Sequence, residues 1–236
     1  MANTYFNFRQ FTIYQDKCVF KVGTDGVLLG AYADVSGVKK IIDIGTGTGL
    51  VALMLAQRSN AEIVAIEPDK DSFLQACSNV ANSKWNARIR VLHTSLQDYE
   101  PGSEKFDLII SNPPFFTDSL RNPDKGKAAA RHNYLLNNDD LLKGASGLIA
   151  EGGKLQVIMP YAEGNILVAE AQEYGLYCNN ILKIKPLPTS EIRRLILTFS
   201  REKHNVKEKF LTIEHGKRHD FTEEYKNLTK DFYLKF

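Results

Sequence analysis

No stretch of this 236-residue chain reaches the ~18 consecutive apolar residues that a spanning helix requires, so such a helix is excluded. The first eleven residues alternate polar and aromatic side chains and lack a basic patch followed by an apolar run, which argues against a signal peptide. Cysteine is scarce. Cys18, Cys77 and Cys178 are odd in number and far apart, so they offer neither a disulfide framework nor a zinc knuckle. The expected location is a reducing cytoplasm, with no membrane attachment. Internal repeats, low-complexity tracts and Gly/Ser linkers are also missing, and neither sign of charge dominates: 30 Lys and Arg face 28 Asp and Glu. What is present, 43% hydrophobic and 10% aromatic residues, rules out general disorder and can bury a sizeable core.

The charge is unevenly spread. From Lys183 to Phe236, 13 basic residues face 8 acidic ones, and His204, His215 and His219 lie there too. A basic terminal third on a near-neutral chain points to an anionic partner; a Lys-rich solvated surface is the plainer alternative. From residue 40 onward, short apolar runs alternate with helical patterns. Strands are expected over 41–44, 62–66, 89–93, 106–111 and 154–159, and helices over 50–57, 70–82, 134–150 and 162–174. Pro113-Pro114 must stop the fourth strand because proline has no N–H to donate. Gly152-Gly153 should end the third helix and Gly175 the fourth. Two further runs, 180–185 and 192–199, are joined by Pro186-Leu187-Pro188-Thr189-Ser190, too short a link for a parallel crossover, so this pair should be antiparallel. The fold class is α/β: a seven-stranded, mostly parallel sheet with one antiparallel strand and helices on both faces.

Between the first strand and first helix lies Asp43-Ile44-Gly45-Thr46-Gly47-Thr48-Gly49. Alternate glycines let the chain turn tightly and bring its backbone against a ligand. A bare strand-to-helix turn would need less. A dinucleotide loop starting at Gly45 would require glycine at position 50, which is Leu50. The pattern instead resembles motif I of class I S-adenosylmethionine-dependent methyltransferases, with their Rossmann-like fold. That resemblance makes Asp43, Gly45, Gly47 and Gly49 cofactor-binding candidates. Glu67, ending the second strand, can accept both ribose hydroxyl hydrogens, although such an acid serves NAD equally well. Asp98, after the third strand, is placed by the resemblance against the adenine amino group; its plainer reading is a surface acid in a turn.

The second motif, Asn112-Pro113-Pro114-Phe115, follows 63 residues after Gly49 at the end of a buried strand. A Pro-Pro pair could be a rigid stop alone, but ligands of open α/β sheets bind outside the carboxyl ends of the strands. The tetrad resembles motif IV of methyltransferases that modify an exocyclic or amide nitrogen. An adenine amino nitrogen is a poor nucleophile because its lone pair is delocalised. The Asn112 amide oxygen and the Pro113 carbonyl can each accept one of its hydrogens, and two prolines keep those acceptors aimed. Phe115 can stack on the flipped ring. The catalytic set is therefore Asn112, Pro113, Pro114 and Phe115, and no metal is needed.

Upstream, Phe20-Lys21-Val22-Gly23-Thr24-Asp25-Gly26 resembles the motif X that covers the methionine end of the cofactor, which adds Lys21, Thr24 and Asp25 to the cofactor set. Downstream, Arg121, Lys125, Lys127, Arg131 and His132 form a basic stretch, joined by Lys217 and Arg218 near the end as RNA-binding candidates. From Phe20 through the tetrad to the ending Tyr225-Lys226-Asn227-Leu228-Thr229-Lys230-Asp231-Phe232-Tyr233-Leu234-Lys235-Phe236, the chain is similar to the bacterial tRNA(Val) adenine-N6 methyltransferase family. This implies tRNA as partner, S-adenosyl-L-methionine as cofactor and the adenine at position 37 as target. A single domain, working as a monomer, is expected. Residues 1–36 would cover the cofactor pocket, 37–200 form the core, and 203–236 make an appendage with one helix. Guanine-N2 rRNA methyltransferases, which share Asn-Pro-Pro-Phe, and protein-glutamine methyltransferases, which use Asn-Pro-Pro-Tyr, remain open on the motifs. So does a non-catalytic nucleic-acid-binding module.

Overall fold

The computed structural model describes residues 3–18, 21–114 and 136–235. The chain runs β1 (Tyr5–Asn7), β2 (Thr12–Tyr14), α1 (Thr24–Tyr32), β3 (Lys40–Ile44), α2 (Leu50–Arg58), β4 (Glu62–Ile66), α3 (Lys70–Ala81), β5 (Ile89–Leu92), β6 (Phe106–Ser111). It continues with α4 (Asn138–Leu148), β7 (Ile149–Pro160), α5 (Tyr161–Glu170), β8 (Tyr177–Lys185), β9 (Arg194–Ser200), β10 (Lys207–Thr212) and α6 (Glu223–Thr229). Eight strands make one sheet in the order β10-β8-β9-β7-β6-β3-β4-β5. β9 is antiparallel to both neighbours and every other pairing is parallel. The central strands are apolar throughout because both faces are covered, as parallel sheets require. On one face sit α1, α2 and α6, with Val27, Leu28, Leu53, Met54 and Tyr225 in the core; on the other, α4 and α5 contribute Leu141, Leu142 and Leu167.

The sheet has eight strands where seven were expected. The extra one, β10, reads Lys-Glu-Lys-Phe-Leu-Thr and buries only Leu211, so no apolar run announces it. A strand at the sheet edge, paired through its backbone to β8 alone among the described residues, needs no more than that. The short β1–β2 hairpin, with Phe6 opposite Ile13, was also unforeseen.

The helix expected over 134–150 is shorter. Asn137 caps α4 by accepting from the Asp140 N–H at 2.8 Å, and position 134 lies outside the described residues. Gly152-Gly153 do not end it. Ile149 already pairs with Phe106, and β7 passes through both glycines. Gly152 takes φ +69°, and a Cβ on Gly153 would stand 2.8 Å from the Phe106 carbonyl oxygen. This is a close approach within a strand, which looks like a helix stop in sequence. Gly175, at φ +68°, does stop its helix after a 3-10 turn over Ala171–Tyr174.

The tail is fastened rather than loose. The Phe232 ring is 1% exposed, its carbonyl accepts from Arg9 N–H at 2.8 Å, and Gln57 Nε2 donates to the Asp231 carbonyl at 2.9 Å. Tyr233 stacks on Phe8 of the N-terminal segment.

Candidate active site

Strand register assembles the site. Ile44 of β3 pairs with Ile66 of β4 on one side and Ser111 of β6 on the other, and the Ser111 hydroxyl donates to the Ile44 carbonyl at 2.9 Å. The next residue on each strand is therefore Gly45, Glu67 and Asn112, side by side at the carboxyl edge. Leu92 pairs with Ile66, which adds His93 to the same row.

The glycine loop is built from left-handed backbone: φ is +70°, +57° and +82° at Gly45, Gly47 and Gly49, a conformation that side chains disfavour. Gly45 and Thr46 N–H groups both donate to the Ile66 carbonyl, at 2.9 and 3.0 Å. Gly47 N–H donates to Glu67 Oε2 at 2.8 Å, and the Thr46 hydroxyl to Asp43 Oδ2 at 2.5 Å. A Cβ placed on Gly47 would meet nothing within 4 Å, so the space before the loop is open to a ligand.

Asp43 is 1% exposed. Burial pushes its carboxyl up to about 7, against the pull of the Thr46 hydroxyl and the Ala52 N–H; the nearby Glu67 charge pushes the same way. Glu67, 7% exposed, is also raised by burial, opposed by the N–H groups of Asp69 and Gly47. Two buried acids at the base of one loop favour a cationic ligand, which would relieve both. Each Glu67 oxygen already accepts one backbone N–H and keeps a second lone pair for a hydroxyl.

The residues singled out from sequence divide into two groups. Asp43, Gly45, Gly47, Gly49, Glu67, Asn112 and Pro113 come together at the carboxyl edge, and Pro114 borders a groove of about 500 Å³ beside them that Met159, Ile166, Glu163 and Glu170 also line. Asp98 is exposed in the turn after β5, where its carboxylate accepts from the Ser95 hydroxyl at 2.6 Å. Asp25, in the first turn of α1, is ion-paired with Arg194 at 2.8 Å. Thr24 is exposed beside it, and exposed Lys21 donates to the Asn3 carbonyl at 3.4 Å. Lys217 and Arg218 are exposed after β10. Phe115, Arg121, Lys125, Lys127, Arg131 and His132 lie outside the described residues.

Several contributors escaped sequence reasoning. Asn79, buried on α3, donates to the Thr48 carbonyl of the glycine loop at 2.8 Å and to the Tyr14 carbonyl at 2.9 Å, and accepts from the Tyr14 N–H. One turn earlier Gln75 accepts from Lys17 N–H at 3.1 Å. These amides strap the N-terminal segment to the loop; the available signal was two polar residues four apart on the apolar stripe of a helix. Gly26 brings α1 beside Asn112: a Cβ there would lie 3.8 Å from Asn112 Nδ2 and 3.1 Å from Leu50 Cδ2. His93 stacks on Phe73 and sits 3.0 Å from the Pro68 carbonyl, bordering Glu67's turn.

A sheet in this strand order, with a glycine loop and an Asn-Pro-Pro turn side by side at its carboxyl edge, has the fold of class I methyltransferases. The family model "Methyltransferase small domain" matches residues 21–164. Among solved structures, the chain is similar in fold to a predicted O-methyltransferase from Agrobacterium tumefaciens (TM-score 0.65, 23% identity, covering 88% of this chain and 96% of that one). A glycopeptide N-methyltransferase complexed with S-adenosyl-L-methionine shares the fold too (TM-score 0.55, 10% identity, 77% and 100% coverage). Over its full length the chain is 45% identical to the tRNA1(Val) (adenine(37)-N6)-methyltransferase of Trichodesmium erythraeum, covering 100% of both. It is 46% identical to that of Bacteroides thetaiotaomicron, covering 99% of both. The chain belongs to the tRNA1(Val) (adenine(37)-N6)-methyltransferase family.

Proposed function

We propose that this protein transfers a methyl group from S-adenosylmethionine to N6 of an adenine in tRNA, at position 37 of tRNA(Val). The carrying observation is full-length identity of about 45% to relatives of that name, in a chain whose Asn112 stands one residue beyond the same strand row as the glycine loop. When bound, the cofactor would supply a methyl group on a positively charged sulfonium; the sulfur keeps the C–S electron pair and leaves as a neutral thioether, and the charge passes to the target nitrogen, which sheds one proton to water. The open space before Gly47 and the paired acids Asp43 and Glu67 suit a cation carrying a ribose. Gly45, Gly47 and Gly49 admit its backbone-hugging part, Glu67 accepts from the ribose hydroxyls, and Asp98 accepts from the adenine amine. Thr24 and Asp25 close the methionine end through α1, with Lys21 just before them.

The chain's own part in the chemistry is positioning. Asn112 Oδ1 and the Pro113 carbonyl accept the two hydrogens of the target amine, which draws the nitrogen toward tetrahedral geometry and aims its lone pair at the methyl group. Pro113 and Pro114 hold that backbone rigid, and Phe115 stacks on the target ring. RNA phosphates are taken by Lys217 and Arg218 and by Arg121, Lys125, Lys127, Arg131 and His132. The enzyme works as a cytoplasmic monomer; no helix among the described residues is long and apolar enough to cross a membrane.

The test is nucleoside mapping of total tRNA after incubation with the purified protein and radiolabelled cofactor. Label is expected in N6-methyladenosine, from the anticodon loop of tRNA(Val). Label in N2-methylguanosine, or tRNA binding without any turnover, would overturn the reading.

A further inference from the structure

β10 carries an aromatic ring into the open. Phe210 is 63% exposed, while its neighbour Leu211 points to the opposite face and is buried. That opposite face is closed by the tail, where the Thr222 hydroxyl donates to the Thr212 carbonyl and α6 begins. On the open face Phe210 pairs across the ladder with Lys183, whose Nζ lies 5.5 Å from the ring centroid and 2.7 Å from Glu208 Oε2. Lys185 follows two residues along β8 on the same face, and Lys207 and Lys209 are exposed along the strand.

Two occupants could cover such a surface. A second copy adding to the edge of β10 that no described strand pairs with would have to bring its own Lys207 and Lys209 against these, and edge lysines oppose such pairing. An anion with flat apolar rings has no such conflict. Surfaces that hold single-stranded nucleic acid combine an aromatic platform with flanking cations, the ring stacking on a base and the ammonium groups meeting phosphates.

Register locates the patch relative to the chemistry. Ser111, Val157, Leu197, Ile181 and Glu208 are paired in succession from β6 to β10. Phe210 therefore stands level with Pro113, four strand spacings away, or about 19 Å at ~4.8 Å each. That is too far for the target adenine and within reach of another nucleotide of the same RNA. We propose that Phe210, with Lys183 and Lys185 beside it, is a second RNA contact: an unstacked base outside the reacting nucleotide lies on the ring, and the lysines take the adjoining phosphates. This deepens the tRNA reading above and rests on it.

The experiment measures steady-state methylation of tRNA by the full-length protein. Phe210→Ala is expected to raise KM for tRNA about ten-fold, as loss of one stacked base does. Its kcat, its calorimetric affinity for S-adenosylhomocysteine and its melting temperature should stay at the native values, since the ring is exposed. Phe210→Tyr should restore KM and Phe210→Leu should not, because leucine keeps apolar area but lacks a stacking face. An unchanged KM in Phe210→Ala, with native turnover intact, overturns the second contact and leaves the substrate reading standing; restoration by leucine overturns the stacking. A concentration-dependent dimer that Phe210→Ala abolishes while KM stays put would assign the patch to a second copy and overturn the proposal. No turnover of tRNA by the native protein removes the substrate reading itself, and this contact with it.

Discussion

The two halves of the sheet's carboxyl edge handle polarity in opposite ways. Around β3, β4 and β6 the polar groups are buried, and each is tied to something specific: Asp43 to Thr46, Glu67 to Gly47 and Asp69, Ser111 to Ile44. Around β10 and the turn after it, Lys207, Lys209, Lys217 and Arg218 are exposed to water. A buried polar group costs stability unless every bond is made, so the first half has one arrangement and can aim atoms. Exposed charges are screened and mobile, so the second half can attract a polyanion but cannot position it to a fraction of an ångström. On the proposed function, chemistry would fall to the first half and capture to the second.

The largest effect concerns the tail that follows the exposed half, which is packed into the core rather than lying on the surface. Phe232 is 1% exposed within the core cluster that also holds Phe8 and Phe11, so Phe232→Ala should cost about 3–5 kcal/mol in urea unfolding. A loss below about 1 kcal/mol would mean that the tail's packing contributes little to the fold.

Next comes Asn112→Ala, which tests whether the buried half aims atoms. Removing one acceptor that acts on the developing charge should lower turnover about 10²-fold or more, while affinity for S-adenosylhomocysteine changes little. Retained turnover would take Asn112 out of the mechanism.

A smaller effect, on the order of 1–2 kcal/mol after relaxation and water entry blunt it, concerns pH. The folded Asp43 carboxyl titrates at about 7 against an ordinary 3.8. Below 3.8 both folded and unfolded chains hold the proton and stability is complete. As pH rises from there to about 7 the unfolded chain releases a proton that the fold retains, so stability falls. Glu67, shifted the same way, adds to the slope. Asp43→Asn still accepts from Thr46 but cannot ionise, so its melting temperature should fall less between pH 4.5 and 7.5 than that of the native protein. Parallel curves would mean that Asp43 is not the titrating group.

The contrast also explains what could be read from sequence. The glycine loop and the Asn-Pro-Pro turn are legible because backbone geometry forces residue type: only glycine is at ease at φ +57° or +82°, and only proline fixes φ while removing a donor. The five parallel strands were legible as apolar runs. β10 was not, since an edge strand buries one residue in six. Gly152-Gly153 misled because left-handed glycine serves a bulged strand as well as a helix end. Asp25's partner was invisible because Arg194 lies 169 positions away and no local pattern joins them. Asn79 and Gln75 hid as polar residues on a helix, where exposure is the common fate.

The smallest effect on the protein itself sharpens the comparison most. Lys217 and Arg218 sit exposed in the turn that carries the chain from β10 to α6, at the same edge as Asn112. Anticodon-loop bases are already unpaired, so little energy is needed to present one, and affinity must come largely from phosphates. Neutralising two phosphate contacts should weaken tRNA binding several-fold and lower the slope of log affinity against log salt by up to about 2. Melting temperature and cofactor affinity should stay put, because neither side chain holds the fold. Replacing Lys125, Lys127 and Arg131 by alanine should act on the slope in the same direction. If both sets leave that slope untouched, the RNA approaches from another side, and the basic half of this edge is a solvated surface that happens to lie beside a buried site.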